Sequence, residues 1–312
     1  MKKILKNIFK YRLSSFLTLI SLVIAFLGII VLTLYVSYER SFDMFHKNKD
    51  NIYLMSFNTG GGSSLPAPMD ELIKANVPEI EKSFIMWGWG NNEFCRTDQT
   101  RKDAVVYNSM SVSNEFFTMF DFPLLAGNSQ TALSKLKSIV LSEKMAKNIF
   151  GTIDVVGKPL LASGMELNIT GVMKDMPNNT SFKQDAFVSL IPEEMNDWSE
   201  WGFSIFFQLK KGTDKVAVTK KIENIERVAE ILKQIAERYS PEAAAVVLIP
   251  VSKIHYGSHN NMNPSVNKTV LNVLSVLIVV LLIMGAVNFI NFSTSQAPLR
   301  AKSLSVQQIL GE

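Results

Sequence analysis

Few residues in this chain could do chemistry, and their spacing decides what that chemistry would be. The histidines are His46, His255 and His259. The last two are four apart, which suits a metal only if both sit on one face of a helix. They fall instead in Ile254-His-Tyr-Gly-Ser-His-Asn-Asn-Met262, a Gly/Asn-rich stretch with no evident third ligand. A structural loop is the better reading. Cys95 is the single cysteine, which excludes an intrachain disulfide framework and a multi-thiolate metal site. No histidine is near it in sequence, so an inert side chain is expected rather than a nucleophile. The pattern GxxxxGK(S/T) is absent, which excludes ATP binding in the Walker manner, and HExxH, GxSxG and paired-cysteine motifs are absent too. Gly60-Gly61-Gly62-Ser63-Ser64 lacks the Lys-Ser/Thr ending of a phosphate loop and reads as a tight loop. Asn-x-Thr triplets at Asn168, Asn178 and Asn267 match a glycosylation acceptor, a weak pattern with meaning only in a eukaryotic secretory pathway. These residues predict a chain with no catalytic, metal or cofactor site of its own.

Two polar residues stand out by their surroundings. Asn288 and Asn291 are three apart inside an otherwise apolar run, so a helix places them on one face. Near the end of a membrane span, interhelical hydrogen bonding worth about 0.6–2 kcal/mol per contact explains them better than a transport pathway does. Either role requires neighbouring helices.

The elements that must position these residues begin with two spans. The chain has 312 residues and is only 19% charged, against roughly 25% for soluble domains. The deficit is concentrated: residues 13–38 and 269–299 hold no Asp, Glu, Lys or Arg. Phe16–Val36 is 21 residues long, about 31 Å as a helix, and Val270–Phe292 is long enough to cross with some tilt. A wholly soluble enzyme is excluded. Lys2, Lys3, Lys6, Lys10 and Arg12 precede the first span, while Arg300 and Lys302 against Glu312 follow the second. Cationic flanks stay in the cytoplasm, so both termini are predicted inside and residues 39–269 outside. The first apolar run is too long for a signal peptide and no A-x-A-like site follows it, so it is read as an anchor. The positive net charge of +4 is thereby a topology signal and gives little reason to invoke nucleic acid.

The outer segment reads as mixed α and β. Short helices are predicted over Asp70–Asn76, Ser113–Phe120 and Ser142–Phe150, the last capped by Ser142 and stopped by Gly151. Strand-like runs are Ile52–Phe57, Val105–Tyr107, Ser138–Leu141, Leu167–Val172, Ile205–Leu209 and Ala245–Pro250. One long helix is expected over Lys215–Tyr239, with Val218, Ile222, Ile225, Ala229, Leu232 and Ala236 as its core face.

Taken together these pieces resemble a known family. Ser41-Phe-Asp-Met-Phe-His-Lys-Asn-Lys-Asp-Asn-Ile-Tyr53, directly after the first span, is similar to MacB-type (FtsX-like) ABC transporter permeases in the form common in Bacteroidetes. So are Asn114–Gly127, Ser138–Gly151 with Val156-Gly-Lys158, Ile169–Pro177, Ile254–Ser258 and Asn288–Phe292, collinear over nearly the whole chain. The resemblance implies an α+β periplasmic core domain of two subdomains between two transmembrane helices. The second subdomain would be inserted at roughly 110–200. It also implies a permease without an enzyme site or cofactor, ATP being bound by a separate or fused cytoplasmic ATPase whose motion the permease passes to the outer domain. Expected partners are that ATPase, a second permease copy or homologous half, a periplasmic protein and membrane lipid. The expected location is the inner membrane.

The cytoplasmic segment, 293–312, is where the ATPase would dock. Arg300, Ala301, Lys302 and Gly311 match the family's continuation there. Ser303 replaces an acid, Ser305 a glycine, and Gln307 and Gln308 two cations. Family permease units have at least four spans, so this two-span chain is expected to be truncated after the second, as the front half of a permease, a remnant, or a diverged partner of a full one. The competing function is a two-span sensor whose outer domain binds a ligand. It needs a cytoplasmic output module, for which only 13 residues follow Leu299.

Overall fold

The structure, a computed structural model, describes residues 2–59, 63–190, 195–256 and 266–310. Gly60–Gly62, His259 and Gly311 therefore lie outside the described residues. The chain forms two units, a pair of long helices and the segment Ser41–Val266.

The helical pair is α1 (Lys2–Arg40) and α8 (Lys268–Leu310). Both outrun the apolar segments read from sequence, and α8 continues through Pro298, a residue that removes one backbone donor from the helix. Each contains a stretch long and apolar enough to cross a membrane, Ile20–Arg40 and Lys268–Asn291. Leu34 is 66% exposed and Val276 is 64% exposed, apolar surface that only lipid or other helices could cover. Within the pair, Arg40 Nη2 donates to Ser275 Oγ at 2.9 Å, and Ser275 Oγ donates back to Leu271 O at 2.7 Å. A Cβ added at Gly28 would meet Leu281 Cδ1 at 3.9 Å, ordinary contact, so this glycine is not required for the packing.

In the second unit the elements are β1 (Ile52–Phe57), α2 (Pro68–Asn76), β2 (Ile80–Arg96), β3 (Val105–Val112), α3 (Phe116–Met119), β4 (Leu124–Gly127), β5 (Ser138–Ser142), α4 (Glu143–Phe150), β6 (Pro159–Ala162), β7 (Met165–Met173), β8 (Ala186–Ser189), β9 (Ser204–Leu209), α5 (Lys215–Glu223), α6 (Glu226–Arg238), β10 (Val246–Pro250) and α7 (Val251–Ile254). The strands form one sheet in the order β10-β1-β9-β2-β3-β8-β5-β7-β4. Strand β6 pairs with both β7 and β2, so β2, β3, β8, β5, β7 and β6 close into a six-stranded ring.

The 17-residue β2 makes this possible. Its first half pairs with β9 in an open antiparallel sheet, and its second half pairs with β3 and β6 in the ring. The ring thus begins within β2, before residue 110, where the insertion was expected to start. The register of β2 against β3 shifts between Trp87 and Trp89, where Gly88 takes φ +60°. A bulge of this kind bends and twists a strand, which lets one strand serve both halves.

Three clusters fill the unit. One face of the open sheet is covered by α2, α5 and α6 through Ile73, Val218, Ile222, Ile231 and Ile235. The other face carries an aromatic core of Phe84, Phe116, Phe120, Phe182, Phe187 and Phe206, with Phe84 stacked on Phe206 at 4.5 Å between centroids. The third is the interior of the ring, where Phe94, Ile139, Leu141, Leu160 and Ile169 are fully buried. Helix α4 leaves the end of β5 and packs Met145 and Ala146 into this interior, while Asn148 Nδ2 donates to the Tyr107 hydroxyl at 2.5 Å.

Local rules explain several elements. Ser142 Oγ accepts from Met145 N at 3.1 Å, and Gly151 takes φ +74° at the stop, which caps α4 at both ends. The helix expected over Lys215–Tyr239 is instead two. Ile225 is extended, so α5 ends at Glu223 and α6 starts anew at Glu226. Beyond the break Leu232 is buried as expected, but Val228, Ile231 and Ile235 complete the buried stripe in place of Ala229 and Ala236. Helix α3 spans only four residues, and Ser113, the expected cap, instead accepts from Ile85 N.

Candidate functional site

Residues Ser41–Lys49 follow α1 directly and hold no regular secondary structure, yet Phe42, Asp43 and His46 are buried. Backbone without a helix or strand must find its hydrogen bonds elsewhere. Asp43 supplies them. Its N–H donates to Asn179 O at 3.0 Å, and its carboxylate accepts from Thr180 Oγ1 at 2.7 Å and from Ser181 N at 3.0 Å. Asn179 Nδ2 donates to Ser41 Oγ at 2.9 Å and Ser41 O at 3.2 Å. Asp43 sits at φ +55°, a left-handed conformation that Asp and Asn tolerate better than most residues. Its carboxyl is pushed up from the usual range by burial, against the pull of the Ser181 and Thr180 hydrogen bonds and the charge of His255.

His46 forms the second anchor. It is fully buried, and its Nδ1 accepts from Asp121 N at 3.2 Å. Its ring lies edge-on to Phe120 and Phe122, at 4.8 and 5.0 Å between centroids. Lys47 N donates to Asp121 Oδ2 at 2.8 Å, so the backbone is tied to the same aspartate. Burial drives the His46 pKa down to about 4, with Asp121 opposing and Lys49 assisting. The ring is therefore neutral at physiological pH, and because Nδ1 accepts, its proton sits on Nε2.

His255 forms the third. It follows α7, is buried, and stacks on Phe42 with centroids 3.5 Å apart and planes 6° from parallel. Lys183 Nζ lies 5.5 Å from the centroid of the same Phe42 ring. The carbonyl of His255 accepts from Val266 N at 3.1 Å. Phe42 is the second residue after α1, and Val266 is the second before α8. The chain's departure from one long helix and its approach to the other are thus joined inside this unit through one stacked ring pair.

The residues singled out in the sequence fall as follows. His46 and His255 are core rings, each in its own aromatic setting. Among the described residues, no three His, Cys, Asp or Glu side chains gather as a metal site requires. Cys95 is a buried free thiol on β2. Asn288 is half-buried and Asn291 exposed on α8, and neither side chain has a hydrogen-bond partner among the described residues. Arg300 and Lys302 lie within α8. Asp43, Asp121, Asn179 and Thr180 were not foreseen as site residues. The available signal was the clustering of Asp, His and aromatic residues immediately after a span, where a mere linker would be polar and small.

One α+β domain follows a helix able to cross a membrane and precedes another, the plan of a membrane-anchored protein. A family model for the MacB-like periplasmic core domain matches residues 15–225, more than half the chain, and the chain belongs to that family. Members of the family work with cytoplasmic ABC ATPase partners. Among solved structures, the chain is similar to a domain of a protein described as a permease from Porphyromonas gingivalis, at 19% identity and a TM-score of 0.49, covering 72% of this chain and 98% of that one. It is also similar to the periplasmic region of MacB from Actinobacillus actinomycetemcomitans, at 13% identity and a TM-score of 0.46, covering 65% of this chain and 90% of that one. A third is the extracellular domain of the noncanonic ABC-type transporter YknZ from Gram-positive bacteria, at 12% identity and a TM-score of 0.42, covering 64% and 100%. No curated protein matches the chain.

Proposed function

We propose that this chain is a non-catalytic permease subunit of an ABC system, passing the motion of a cytoplasmic ATPase across the inner membrane to its periplasmic core domain. The family match supports the class. The observation that carries the mechanism is the junction: the Phe42–His255 stack, the Asp43 cluster and the His46–Asp121 anchor fix the chain on leaving α1 and on approaching α8. A helix displaced in the membrane then moves a packed domain and does not merely stretch a linker, because close-packed interiors transmit strain.

In this reading both termini are cytoplasmic and Ser41–Val266 is periplasmic. Arg300, Lys302 and Gly311 belong to the segment that meets the ATPase. Asn288 and Asn291 hydrogen-bond to helices of a second copy or a homologous half, since a polar side chain in lipid needs a partner.

The test is isolation of the tagged full chain from its native membranes in mild detergent. An ABC ATPase should co-isolate, and Arg300→Glu with Lys302→Glu should remove it while the chain still inserts. Recovery of the intact chain without any ATPase, in detergent and in nanodiscs alike, contradicts the proposal.

A further inference from the structure

The six-stranded ring has two unlike ends. Helix α4 fills one with Met145 and Ala146. The other opens into a cleft of about 440 Å³ to which every strand of the ring or its flanking turn contributes. That volume falls within the roughly 300–1,000 Å³ typical of small-molecule sites.

The cleft is built in layers. Its floor is apolar, formed by Phe94, Ala162, Leu167 and Val188, the inward side of the strands. Above it lies a rim of small polar groups. Asn92 Nδ2 donates to Ser109 Oγ at 2.7 Å, and Ser163 Oγ donates to Asn92 Oδ1 at 3.3 Å, so these are pre-positioned. The Ser111 hydroxyl has no hydrogen-bond partner among the described residues and remains available. Among the described residues, Lys137 is the one charged residue in the lining, it is exposed and forms no ion pair, and no carboxylate lines the cleft. At the lip, Leu136 is 58% exposed and Met165 is 44% exposed, apolar side chains left facing solvent beside the opening.

Turns shape the lip of the cleft. Among the described residues, three non-glycine positions take positive φ: Asp43 at the junction, and Lys137 at +58° and Ser163 at +47° on this cleft. Ser163 and Gly164, at +47° and +90°, are the two-residue turn between the paired Ala162 and Met165, a connection that takes positive φ at both positions, and Lys137 leads directly into β5.

We propose that this mouth binds a small monoanionic amphiphile, a carboxylate with an apolar chain of medium length. The chain lies on the Phe94–Leu167–Val188 floor, and the carboxylate meets the Lys137 ammonium and the Ser111 hydroxyl. A lone cation over an apolar floor selects an anion and leaves a cationic amphiphile unpaired. The site is independent of the permease reading and would serve equally in a chain that coupled to no ATPase.

The test is equilibrium binding of radiolabelled octanoate to the full chain in nanodiscs, against empty nanodiscs. Lipid partition is linear in concentration, whereas the protein should add a saturable component of one site per chain. Octylammonium should show the linear component only. Lys137→Glu should weaken the saturable component by at least about tenfold, the loss of one charge-assisted hydrogen bond with repulsion added. Lys137→Arg should retain it, and Val188→Trp should abolish it by filling the floor. Lys137 is exposed, so an unchanged melting temperature in Lys137→Glu separates lost binding from lost folding. Absence of a saturable component overturns the proposal. So does saturable binding that survives both Lys137→Glu and Val188→Trp, or octylammonium binding equal to that of octanoate.

Discussion

At the scale of single residues, the junction is held by groups that are costly to remove. Asp43→Ala strands the Thr180 hydroxyl and the Ser181 N–H, and places a Cβ-only residue at φ +55°. Each buried unsatisfied group costs about 1–3 kcal/mol, so a loss of about 2–4 kcal/mol is expected in denaturant unfolding of the full chain. Asp43→Asn keeps an acceptor and a side chain that tolerates the left-handed region, and should lose about 1 kcal/mol or less. Equal losses in the two variants would contradict this account of Asp43.

His46 makes the junction acid-sensitive. Its folded-state pKa, about 4, lies below its unfolded value of 6.5, so between these pH values the unfolded chain binds the extra proton. Stability from this group is present above pH 6.5 and falls as pH drops toward 4, by about 3 kcal/mol at most. Asp43 acts with the opposite sign: its raised pKa favours the protonated folded state, so its contribution is lost as pH rises through that raised value. His46→Asn retains an acceptor for Asp121 N without a titrating ring. It should flatten the pH dependence between 6.5 and 4, as read from unfolding midpoints, even if it lowers stability overall. An unchanged slope would mean that His46 is not the group responsible.

At the scale of elements, the sequence was most informative where signals are local. The cap at Ser142, the stop at Gly151 and the run Ile52–Phe57 are visible because capping residues and apolar patterning act within a few positions. Strand β2 escaped notice because its middle, Gly88-Trp-Gly-Asn-Asn-Glu93, breaks the alternation that marks a strand. Its extended state comes from pairing with three other strands, which is tertiary context overriding propensity. After Asn224 the stripe through Lys215–Tyr239 keeps Leu232 but misses Val228, Ile231 and Ile235, because periodicity continues formally across a break that the backbone does not respect. The partners of Asp43, 137 and 138 positions away, leave no local trace at all.

The outer edge of the ring rests on a close backbone approach. Gly127 ends β4 at φ +92°, and a Cβ there would collide with Thr170 O and Gly171 Cα of β7. Both obstacles are backbone and cannot rotate away. Gly127→Ala should therefore cost about 2–4 kcal/mol and raise hydrogen exchange across β4 and β7. Native-like exchange in the variant would contradict the packing described.

At the scale of the whole molecule, the two long apolar helices and the domain class were legible, because span length and family motifs are properties of the chain itself. The closed ring was not, since closure depends on β6 meeting β2 about 65 residues earlier in the chain, an arrangement no single segment encodes. The helices display apolar surface that one pair cannot cover, and Asn288 and Asn291 add polar groups to it. Asn288→Leu with Asn291→Leu should weaken assembly with a second copy or a homologous half, as read by cross-linking in nanodiscs. Unchanged assembly would assign these residues no role in helix packing.

The central claim is that ATP at the cytoplasmic face moves the periplasmic domain through the junction. The most direct measurement uses a chain in which Cys95, the only cysteine, is replaced by serine and the exposed Val216 of α5 by a spin-labelled cysteine. Distances between labels on two copies are then recorded in proteoliposomes with the ATPase. The account predicts a distance distribution that shifts between nucleotide-free and ATP-bound states, and a smaller shift when Asp43→Ala loosens the junction. An identical distribution with and without ATP, while the ATPase turns over, would contradict it.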